Sequence, residues 1–422
     1  MTGKTIAEKI LLAHNLSGDK IKPGDIINAK IDLIMSHFGT AKVSLDFNKI
    51  KSPKKRRVFD PNKIVVLFDH YNPAPTERWA AIHDMIRKFV KKQEIANFYD
   101  IREGICHQVL PEKGHVKPGM LIVGGDSHTT TYGAFNAASC GVGNTDLFYA
   151  YVKGELWFRI PHTIKFNISG NLPHNVMSKD IIIKIAGDYS AEVANYKSIE
   201  FTGNTMEKLS ISSRMTMSNF SLELGAKFAF GVPDQKVIDW VKKRTKESFE
   251  LVKPDDNAIY EKIYEMDVND LSPQVSCPHT IDNVKSVSDV EGTKINQAFL
   301  GSCTNGRYED LEVAAKILDG KEIHRDVRMI ITPASKMIWL DAAKSGIAEV
   351  LINAGAIITN PSCGACFGGQ GGILGPGEIC ISSSNRNFQG RMGSINSKVY
   401  LGSPATVAAS ALKGEIADPR YF

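Results

Sequence analysis

Short apolar runs alternate with amphipathic stretches along most of this chain. The runs have the length of buried strands, and the stretches between them carry apolar residues at helical spacing. Such alternation is typical of parallel sheets flanked by helices, so the sequence predicts an α/β fold. The predicted buried strands are Ile64–Phe68, Met120–Val123, Gln297–Leu300 and Val399–Leu401.

Helical periodicity follows several of these strands. Residues Thr76 to Val90 form one predicted helix. The pair Ser403-Pro404 predicts another helix start, because serine is a favoured cap and proline fits the first helical position. Ser178 is predicted to cap a helix with one apolar face formed by Ile181, Ile182, Ile185 and Ala186. A further helix has an apolar face formed by Leu311, Ala314, Ala315 and Leu318.

The chain length and a change of pattern suggest three α/β units. A strictly alternating strand at Thr163–Ile168 opens the second unit, and a polar, proline-containing stretch from Lys242 to Val290 is predicted to end in a linker. We therefore expect units at residues 1–161, 162–285 and 286–422.

Polar clusters follow directly on the predicted strands. In open parallel sheets, ligands bind beyond the carboxyl ends of the strands. Several sheets that pointed these ends toward one cleft would gather all the clusters together. The clusters are Asp69-His70, Asp126-Ser127-His128, Cys303, and the run from Ser382 to Arg386.

Composition narrows the class of protein. Hydrophobic residues make up 43% and charged residues 23%, as in ordinary globular proteins, and no run reaches the length of a membrane span. The N-terminus lacks the pattern of a secretion signal, and seven cysteines without framework spacing favour a reducing compartment, so we expect a cytoplasmic protein. The net charge of +5 suits small anionic substrates. The basic run Lys54-Lys55-Arg56-Arg57 is interpreted as a solvated loop.

Three cysteines carry the main chemical signal. Cys303 lies in Gly-Ser-Cys-Thr-Asn, and Cys363 and Cys366 form a Cys-x-x-Cys turn. Spacing alone leaves open a zinc site completed by histidine, a redox pair, or a glycine turn with buried thiols. Three thiolates also suit a four-iron cluster with one open corner, which points to metal-assisted catalysis. The other four cysteines are interpreted as small buried hydrophobes, namely Cys106, Cys140, Cys277 and Cys380.

Two histidine–carboxylate pairs give a second signal. Asp69 adjoins His70, and Asp126 is two residues from His128. A carboxylate raises the pKa of a neighbouring histidine and fixes its tautomer, which suits delivery of a proton to a leaving hydroxyl. Each pair alone would be interpreted as a helix cap beside a half-exposed histidine, but two pairs at similar strand ends favour catalysis.

Two arginines give a third signal. Arg386 and Arg391 lie in a segment of small polar residues without acidic neighbours. Since arginine is the preferred bidentate partner of carboxylates, these two side chains are predicted to bind an anion from outside the chain.

Taken together, these motifs resemble the large subunit of the two-subunit aconitase-like hydro-lyases, such as 3-isopropylmalate dehydratase and homoaconitase. The resemblance runs over essentially the whole chain. The motifs that carry it are Gly3-Lys4-Thr5, Lys22-Pro23-Gly24-Asp25, Phe68-Asp69-His70, Gly104-Ile105-Cys106-His107-Gln108, Gly125-Asp126-Ser127-His128-Thr129, Gly141-Val142-Gly143, Gly301-Ser302-Cys303-Thr304-Asn305, Pro361 to Gly364 with Cys366, and Ser384 to Arg391.

The resemblance implies an aconitase-like fold of three α/β/α units around a [4Fe–4S] cluster held by Cys303, Cys363 and Cys366. The fourth iron would bind the hydroxyl and a carboxylate of the substrate. The resemblance also implies catalytic roles for Asp69, His70, Asp126, His128, His107 and Glu223. It implies substrate-binding or cluster-shell roles for Arg386, Arg391, Asn385, Ser127, His37 and Asn219.

The implied reaction moves a hydroxyl between adjacent carbons of a hydroxy di- or tricarboxylic acid by dehydration and rehydration. The expected substrate is 3-isopropylmalate, in leucine biosynthesis, with homoaconitase or a dimethylmalate- or citraconate-type dehydratase as alternatives. The family's swivelling fourth domain, with its serine base, is expected on a separate small subunit, in a heterodimer or heterotetramer.

Two further points bear on the prediction. The family usually has an acidic residue where Phe38 stands, which suggests a more apolar substituent on the substrate. An RNA-binding regulator is the rival from another class, since some aconitase relatives bind RNA when they lose the cluster. The chain lacks the broad basic face with stacking aromatics that RNA recognition needs, so nucleic acid and membrane are not expected partners.

Overall fold

The structure is a computed structural model, and it describes residues 3–18, 20–52 and 56–422. The strands are β1 (Ile26–Lys30), β2 (Leu33–Ser36), β3 (Ile64–Leu67), β4 (Asn97–Tyr99), β5 (Leu121–Gly124), β6 (Ala138–Gly141), β7 (Glu155–Arg159), β8 (Thr163–Ser169), β9 (Ser198–Thr202), β10 (Phe228–Phe230), β11 (Lys262–Asp267), β12 (Gln274–Ser276), β13 (Val284–Ser286), β14 (Gln297–Gly301), β15 (Arg328–Thr332), β16 (Ile357–Ile358), β17 (Ile379–Ser382) and β18 (Lys398–Leu401).

The α-helices are α1 (Ile6–His14), α2 (Thr40–Lys49), α3 (Glu77–Gln93), α4 (Cys106–Glu112), α5 (Asn144–Lys153), α6 (Ser178–Tyr189), α7 (Asn204–Lys208), α8 (Ile211–Phe220), α9 (Gln235–Lys242), α10 (Tyr308–Leu318), α11 (Lys336–Lys344), α12 (Ile347–Asn353) and α13 (Pro404–Lys413). Short 3₁₀ helices at Ser127–Phe135, Ser221–Leu224 and Gly364–Phe367 carry site residues.

Three sheets with mainly parallel strands form the framework. The first has the order β4-β3-β2-β5-β6 and the second β10-β9-β8-β11, both entirely parallel. The third has the order β13-β12-β18-β17-β14-β15-β16, with β12 antiparallel to both of its neighbours. β1 and β7 form a separate antiparallel ribbon. The predicted α/β fold with parallel sheets is confirmed.

The predicted buried strands and most helices are also confirmed. Ile64 to Leu67 are fully buried in β3, and Thr76 caps α3 by accepting a hydrogen bond from the backbone of Trp79. Ser403 caps α13, which has Pro404 at its first position. The apolar faces predicted for α6 and α10 are buried. They join the hydrophobic cores, as the apolar faces of amphipathic helices do.

Two local predictions were wrong. Ser178 is the first residue of α6, and Met177 precedes the helix as its cap residue, because the Asp180 carboxylate accepts the Met177 backbone N–H at 2.8 Å. The stretch expected to end in a linker instead forms β12 and β13, which pair along the third sheet. The unit boundaries at residues 161 and 285 stay a prediction, and β13 spans the second of them.

One continuous core fixes the first and third sheets against each other. It includes Leu33, Val65 and Ile122 from the first sheet and Leu300 and Ile331 from the third, all almost fully buried. Because a close-packed core leaves little freedom of movement, the strand ends of the two sheets have a defined spacing.

Other predictions concern the surface. Lys54 and Lys55 of the basic run lie outside the described residues. Arg56 and Arg57 donate hydrogen bonds to the carbonyl oxygens of Ile50 and Lys92 at 2.7 and 2.6 Å. No helix in the described ranges combines the length and the apolar composition needed to cross a membrane.

Candidate active site

The carboxyl ends of the first and third sheets meet at one enclosed cavity. His37, Asp69 and Asp126 follow β2, β3 and β5, while Cys303 and Ser383 follow β14 and β17. The cavity is lined by His70, Cys106, His107, Asp126, Ser127, His128, Ser302, Cys303, Cys363, Cys366, Phe367, Arg386 and Arg391. The clusters predicted to converge from separate strand ends therefore do converge.

Asp69 and His70 form the first acid–base pair. Asp69 Oδ1 lies 2.7 Å from His70 Nδ1, and its Oδ2 accepts the backbone N–H of Cys106 at 3.0 Å. Burial alone would raise the pKa of Asp69, but the interaction with His70 and that N–H hold it well below its usual value. The carboxylate thus fixes the orientation of the imidazole, and Nε2 is the ring nitrogen that can exchange a proton with a ligand.

Asp126 lies at the centre of three histidines. Its Oδ1 accepts from His107 Nε2 at 2.9 Å and from the backbone N–H of His128 at 2.8 Å, and its Oδ2 is 3.5 Å from His37 Nε2. Burial opposes ionisation, yet these bonds hold the pKa of Asp126 well below its usual value. Burial lowers the pKa of His107. Burial also acts to lower the pKa of His37, but the bond to Asp126 together with the charges of Asp69 and Asp126 outweighs it and raises that pKa.

A second chain of polar contacts runs from His128 to Arg386. Glu223 Oε1 lies 2.8 Å from His128 Nε2 and 2.7 Å from Arg386 Nε, and Arg386 Nη2 donates to Ser127 Oγ at 3.1 Å. Burial disfavours the charged imidazole, but the Cys303 thiol in its charged form, Asp126 and Glu223 raise the pKa of His128 well above its usual value. These groups favour the charged form of His128 beside the cavity.

The three cysteines lie in the same cavity wall. Cys303, Cys363 and Cys366 are 7%, 8% and 5% exposed, and all seven cysteines of the chain are free thiols. The ligand atoms of Asp69, His70 and Cys363 all lie within 4.8 Å of one another. The first acid–base pair therefore adjoins the thiols directly.

Comparison with known proteins identifies the fold family. The model of the aconitase family (aconitate hydratase) matches residues 57–291 and 283–414 of this chain. The chain belongs to the aconitase family.

Curated members of this family match the chain from end to end. The 3-isopropylmalate dehydratase large subunit 1 of Methanopyrus kandleri is 50% identical over 420 residues, which is 100% of each chain. A probable methanogen homoaconitase large subunit of Methanothermobacter thermautotrophicus is 46% identical over 100% of this chain and 98% of its own. The 3-isopropylmalate dehydratase large subunit of Halothermothrix orenii is 45% identical over 99% of both chains.

The donor set at the three thiols suits an iron–sulfur group of the kind known in the aconitase family. Thiolates are the ligands that such clusters take, and hydrogen bonds to the sulfurs tune them. Asn385 Nδ2 donates to Cys303 Sγ at 3.5 Å, and Arg391 Nη2 lies 3.9 Å from Cys366 Sγ. Burial would raise the pKa of the Cys366 thiol, but the Arg391 guanidinium lowers it. Arg391 Nε is buried with no partner among the described residues, as expected beside a site made for an anionic group.

A cluster that we call the aromatic wall lies next to His70, and Phe367 is its member that lines the cavity. We use this name for Phe38, Tyr71, Trp79 and Phe367, which are all partly exposed. The ring of Phe38 lies 5.1 Å from the His70 ring and edge-on to both Tyr71 and Trp79. Phe367 lies 4.7 Å from the His70 ring on the other side. The wall therefore presents an apolar surface to whatever lies beside His70.

Most of the site residues predicted from the sequence line the cavity itself. The others stand directly behind it, namely Asp69, His37, Asn219, Glu223 and Asn385. Asn219 Oδ1 accepts from Asn385 Nδ2 at 2.9 Å and lies 3.8 Å from Cys303 Sγ.

Sequence reasoning missed three residues of the cavity wall, namely Cys106, Ser302 and Phe367. Cys106, interpreted as a small buried hydrophobe, is buried, and burial raises the pKa of its thiol well above the usual value. The position of Cys106 next to His107 in the sequence was the feature that could have indicated a place in the cavity wall.

Proposed function

We propose that this chain is the large, cluster-binding subunit of a hydro-lyase that isomerises 3-isopropylmalate by dehydration and rehydration, in leucine biosynthesis. One observation carries the proposal. In a chain of the aconitase family, three buried thiols share a single cavity with two histidine–carboxylate systems and two arginines. Names of full-length relatives support the substrate.

Cys303, Cys363 and Cys366 would hold a [4Fe–4S] cluster with one iron left open to the substrate. When bound, such a cluster supplies a Lewis acid for the departing hydroxyl group. Asn219 and Asn385 contact the Cys303 sulfur, and Arg391 lies against the Cys366 sulfur. These contacts would orient the thiolates and offset their charge.

His70 would deliver the proton to the hydroxyl as it leaves. Asp69 holds Nδ1, so that Nε2 is the nitrogen from which the proton would be transferred, and the pair adjoins the Cys363 thiol. Asp126 and His128 would hold the departing water, with His107 and His37 fixing the Asp126 carboxylate. A positioned acid of this kind contributes about 10²–10⁴ to a rate.

Arg386 and Arg391 would bind the substrate carboxylates. Arg386 lines the cavity and is oriented by Glu223 and Ser127, which accept from its Nε and Nη2. Arginine forks bind carboxylates bidentately, so two arginines on one side of the cavity fit a dicarboxylate.

The aromatic wall favours an apolar substituent over a third carboxylate. Phe38 stacks on His37 with 4.5 Å between ring centroids and adjoins the His70 ring. A carboxylate placed against the faces of Phe38 and Phe367 would lose hydration without gaining a donor, whereas an isopropyl group would bury apolar surface. Homoaconitase stays the second candidate, because a relative 46% identical carries that name.

A separate small subunit would complete the enzyme. Relatives that match this chain over its full length are named large subunits. The base that removes the carbon-bound proton would come from the partner, so we expect a heterodimer or heterotetramer, located in the cytoplasm, in which neither chain works alone.

The test is turnover by the anaerobically purified chain, reconstituted with iron and sulfide and mixed with its small subunit. The ultraviolet absorbance of the unsaturated product is followed after adding isopropylmalate, homocitrate, dimethylmalate and citramalate in turn. We expect turnover of isopropylmalate, lost in Cys363→Ser and retained in Cys277→Ser, a buried thiol outside the cavity wall. Turnover of homocitrate alone would support the second candidate, and a bound cluster without any turnover would contradict both.

A further inference from the structure

Lys179 is a fully buried cation that binds the backbone next to Asn385 and Arg386. It is 0% exposed. Its Nζ donates to the carbonyl oxygens of Ser383 at 3.1 Å and Ser384 at 2.8 Å, and it lies 4.5 Å from the centre of the Phe220 ring. An ammonium group has three donors, and here two of them hold the loop after β17.

Arg307 does the same for the loop after β14. It is 2% exposed, and its Nη2 donates to the carbonyl oxygen of Cys303 at 2.7 Å while Nη1 donates to that of Thr304. Its Nε donates to Gln108 Oε1 at 3.1 Å. The guanidinium therefore directs its donors to neutral oxygens, two of them in the segment that carries a predicted cluster ligand.

Among the described residues, neither of these two side chains forms an ion pair with a carboxylate. Within the part of the chain that the structure describes, no carboxylate oxygen lies within 4.0 Å of a side-chain nitrogen of Lys179 or Arg307. Two neighbouring acids are hydrogen-bonded to other groups: Asp180 accepts from the backbone of Met177 and Gln274, and Asp310 from Asn305 and the backbone of Arg307. Burial lowers the pKa of the Arg307 guanidinium, and the charge of Asp310 acts against this.

Burial raises the pKa of Asp180 to about 6 and that of Asp310 to about 7. Both acids therefore carry less negative charge near neutral pH than ordinary aspartates do. Burial also lowers the pKa of Lys179 to about 7, while the thiols of Cys303 and Cys366 in their charged form act to raise it.

A third buried cation shows the usual arrangement in this same chain. Arg214 is 0% exposed and forms a fork with Asp234, at 2.8 Å to Oδ1 and 2.6 Å to Oδ2. A buried charge without such compensation is costly, so its retention needs another negative partner. Lys179 and Arg307 differ from Arg214 because each binds a loop of the site. Lys179 binds the loop that carries Asn385, which contacts the Cys303 sulfur, and Arg307 binds the loop that contains Cys303 itself.

We propose that Lys179 and Arg307 are positioning residues that hold the two loops against an iron–sulfur group and balance the negative charge of that group and its thiolates. This inference rests on the proposed function. It assigns two residues, distant in sequence from the cysteine motifs, to the retention and the redox tuning of the cluster.

The test compares the whole chain with Lys179→Met, which keeps the length of the side chain and removes its charge, and Lys179→Arg, which restores the charge. Each is reconstituted with iron and sulfide, and the midpoint potential is measured by a redox titration followed by electron paramagnetic resonance. Loss of a nearby positive charge disfavours the reduced cluster, so we expect a more negative potential in Lys179→Met and a potential near the original in Lys179→Arg.

Arg307→Lys separates charge from geometry. It keeps the charge but loses the fork that binds two carbonyl oxygens, so we expect an unchanged potential with cluster loss in air about tenfold faster, the size expected when charged hydrogen bonds are removed. Asp234→Asn is the stability control, because it leaves Arg214 without its partner. It should lower the melting temperature without moving the potential.

The outcomes distinguish this inference from the proposed function. If the unaltered chain binds no cluster, the proposed function fails and this inference fails with it. If the unaltered chain binds the cluster but Lys179→Met has the same potential and Arg307→Lys the same rate of cluster loss, this inference alone is overturned. If Asp234→Asn shifts the potential as much as Lys179→Met does, the shift reflects general destabilisation, and the inference is likewise overturned.

Discussion

The backbone amide of Cys363 donates a 2.9 Å hydrogen bond to the carbonyl oxygen of Asp69. This bond ties the loop of the Cys-x-x-Cys turn to the end of β3, on another sheet. The thiol ligands and the acid that serves the leaving group are therefore held in one rigid unit. A change in the loop itself would therefore alter both proton transfer and the position of the thiols. Only the substitution of a side chain can alter one without the other.

Replacing Asp69 by asparagine tests that separation. The neutral amide can donate as well as accept a hydrogen bond at His70 Nδ1, so it no longer fixes the tautomer of His70. We expect kcat to fall about 10²–10⁴-fold, the usual contribution of a positioned acid, while iron and sulfide content stay unchanged. Asp60→Asn, at the 3₁₀ helix before β3, is the matched control and should leave kcat unchanged. Normal kcat in Asp69→Asn would contradict the role of the pair.

Glu223→Gln should change the pH dependence in a defined direction. Glu223 is one of the groups that raise the pKa of His128, so its neutral replacement lowers that pKa. The protonated imidazole is then lost at lower pH, and the alkaline limb of the kcat/KM profile moves toward lower pH. Glu261→Gln, which removes the partner of His162 and Lys197 at the surface, serves as control. An alkaline limb that stays in place or moves upward would show that the rate does not depend on His128 as a cation.

The sequence predicted those parts of the site that follow strands. Asp69, Asp126 and Cys303 each come directly after an apolar run, and parallel strands bring such positions to one edge. No strand signals Asn219 or Glu223, which lie at the end of α8 and in the 3₁₀ turn behind it. The family resemblance was needed to propose them, because their contacts with Cys303 and His128 cross many residues of chain.

Other features depended on tertiary contacts that no local pattern reveals. Lys179 belongs to a helix with an ordinary amphipathic pattern, yet it binds carbonyl oxygens 204 and 205 residues away. The polar stretch before residue 290 resembles a linker because its strands are short, and only pairing with the third sheet stabilises them. The start of α6 differs by one residue because the Asp180 side chain satisfies the Met177 amide.

Arg391→Gln should make the Cys366 thiol less reactive in the cluster-free chain. The Arg391 guanidinium lowers the pKa of this thiol, so its loss reduces the thiolate fraction near neutral pH. Alkylation of Cys366 by iodoacetamide, followed by peptide mass mapping, should be severalfold slower in the variant. The rate at Cys277, on the same molecule, is the internal control. Equal rates at Cys366 in both proteins would contradict the electrostatic contact.

Phe38→Asp tests the aromatic wall as a determinant of substrate choice. The change places a carboxylate beside His37 and His70 and removes apolar surface there. The new negative charge repels both substrates, and it repels a tricarboxylate more strongly than a dicarboxylate with an apolar substituent. We expect kcat/KM for isopropylmalate to fall about tenfold, as for loss of one well-packed apolar contact, with no gain for homocitrate. Trp157→Asp, at an exposed ring on β7, is the control. If the ranking of the substrates and the kcat/KM for isopropylmalate both stayed unchanged, the aromatic wall would not contribute to recognition of the substituent.

The central claim is that Cys303, Cys363 and Cys366 hold a four-iron cluster with a corner open to the hydroxy acid. The most direct measurement is the iron and sulfide content of the anaerobically reconstituted chain, together with the electron paramagnetic resonance spectrum of its reduced form before and after adding isopropylmalate. The account predicts about four iron and four sulfide ions per chain and a spectrum that changes when isopropylmalate is added. Absence of a cluster, or a full cluster whose spectrum does not respond to any of the candidate hydroxy acids, would contradict it.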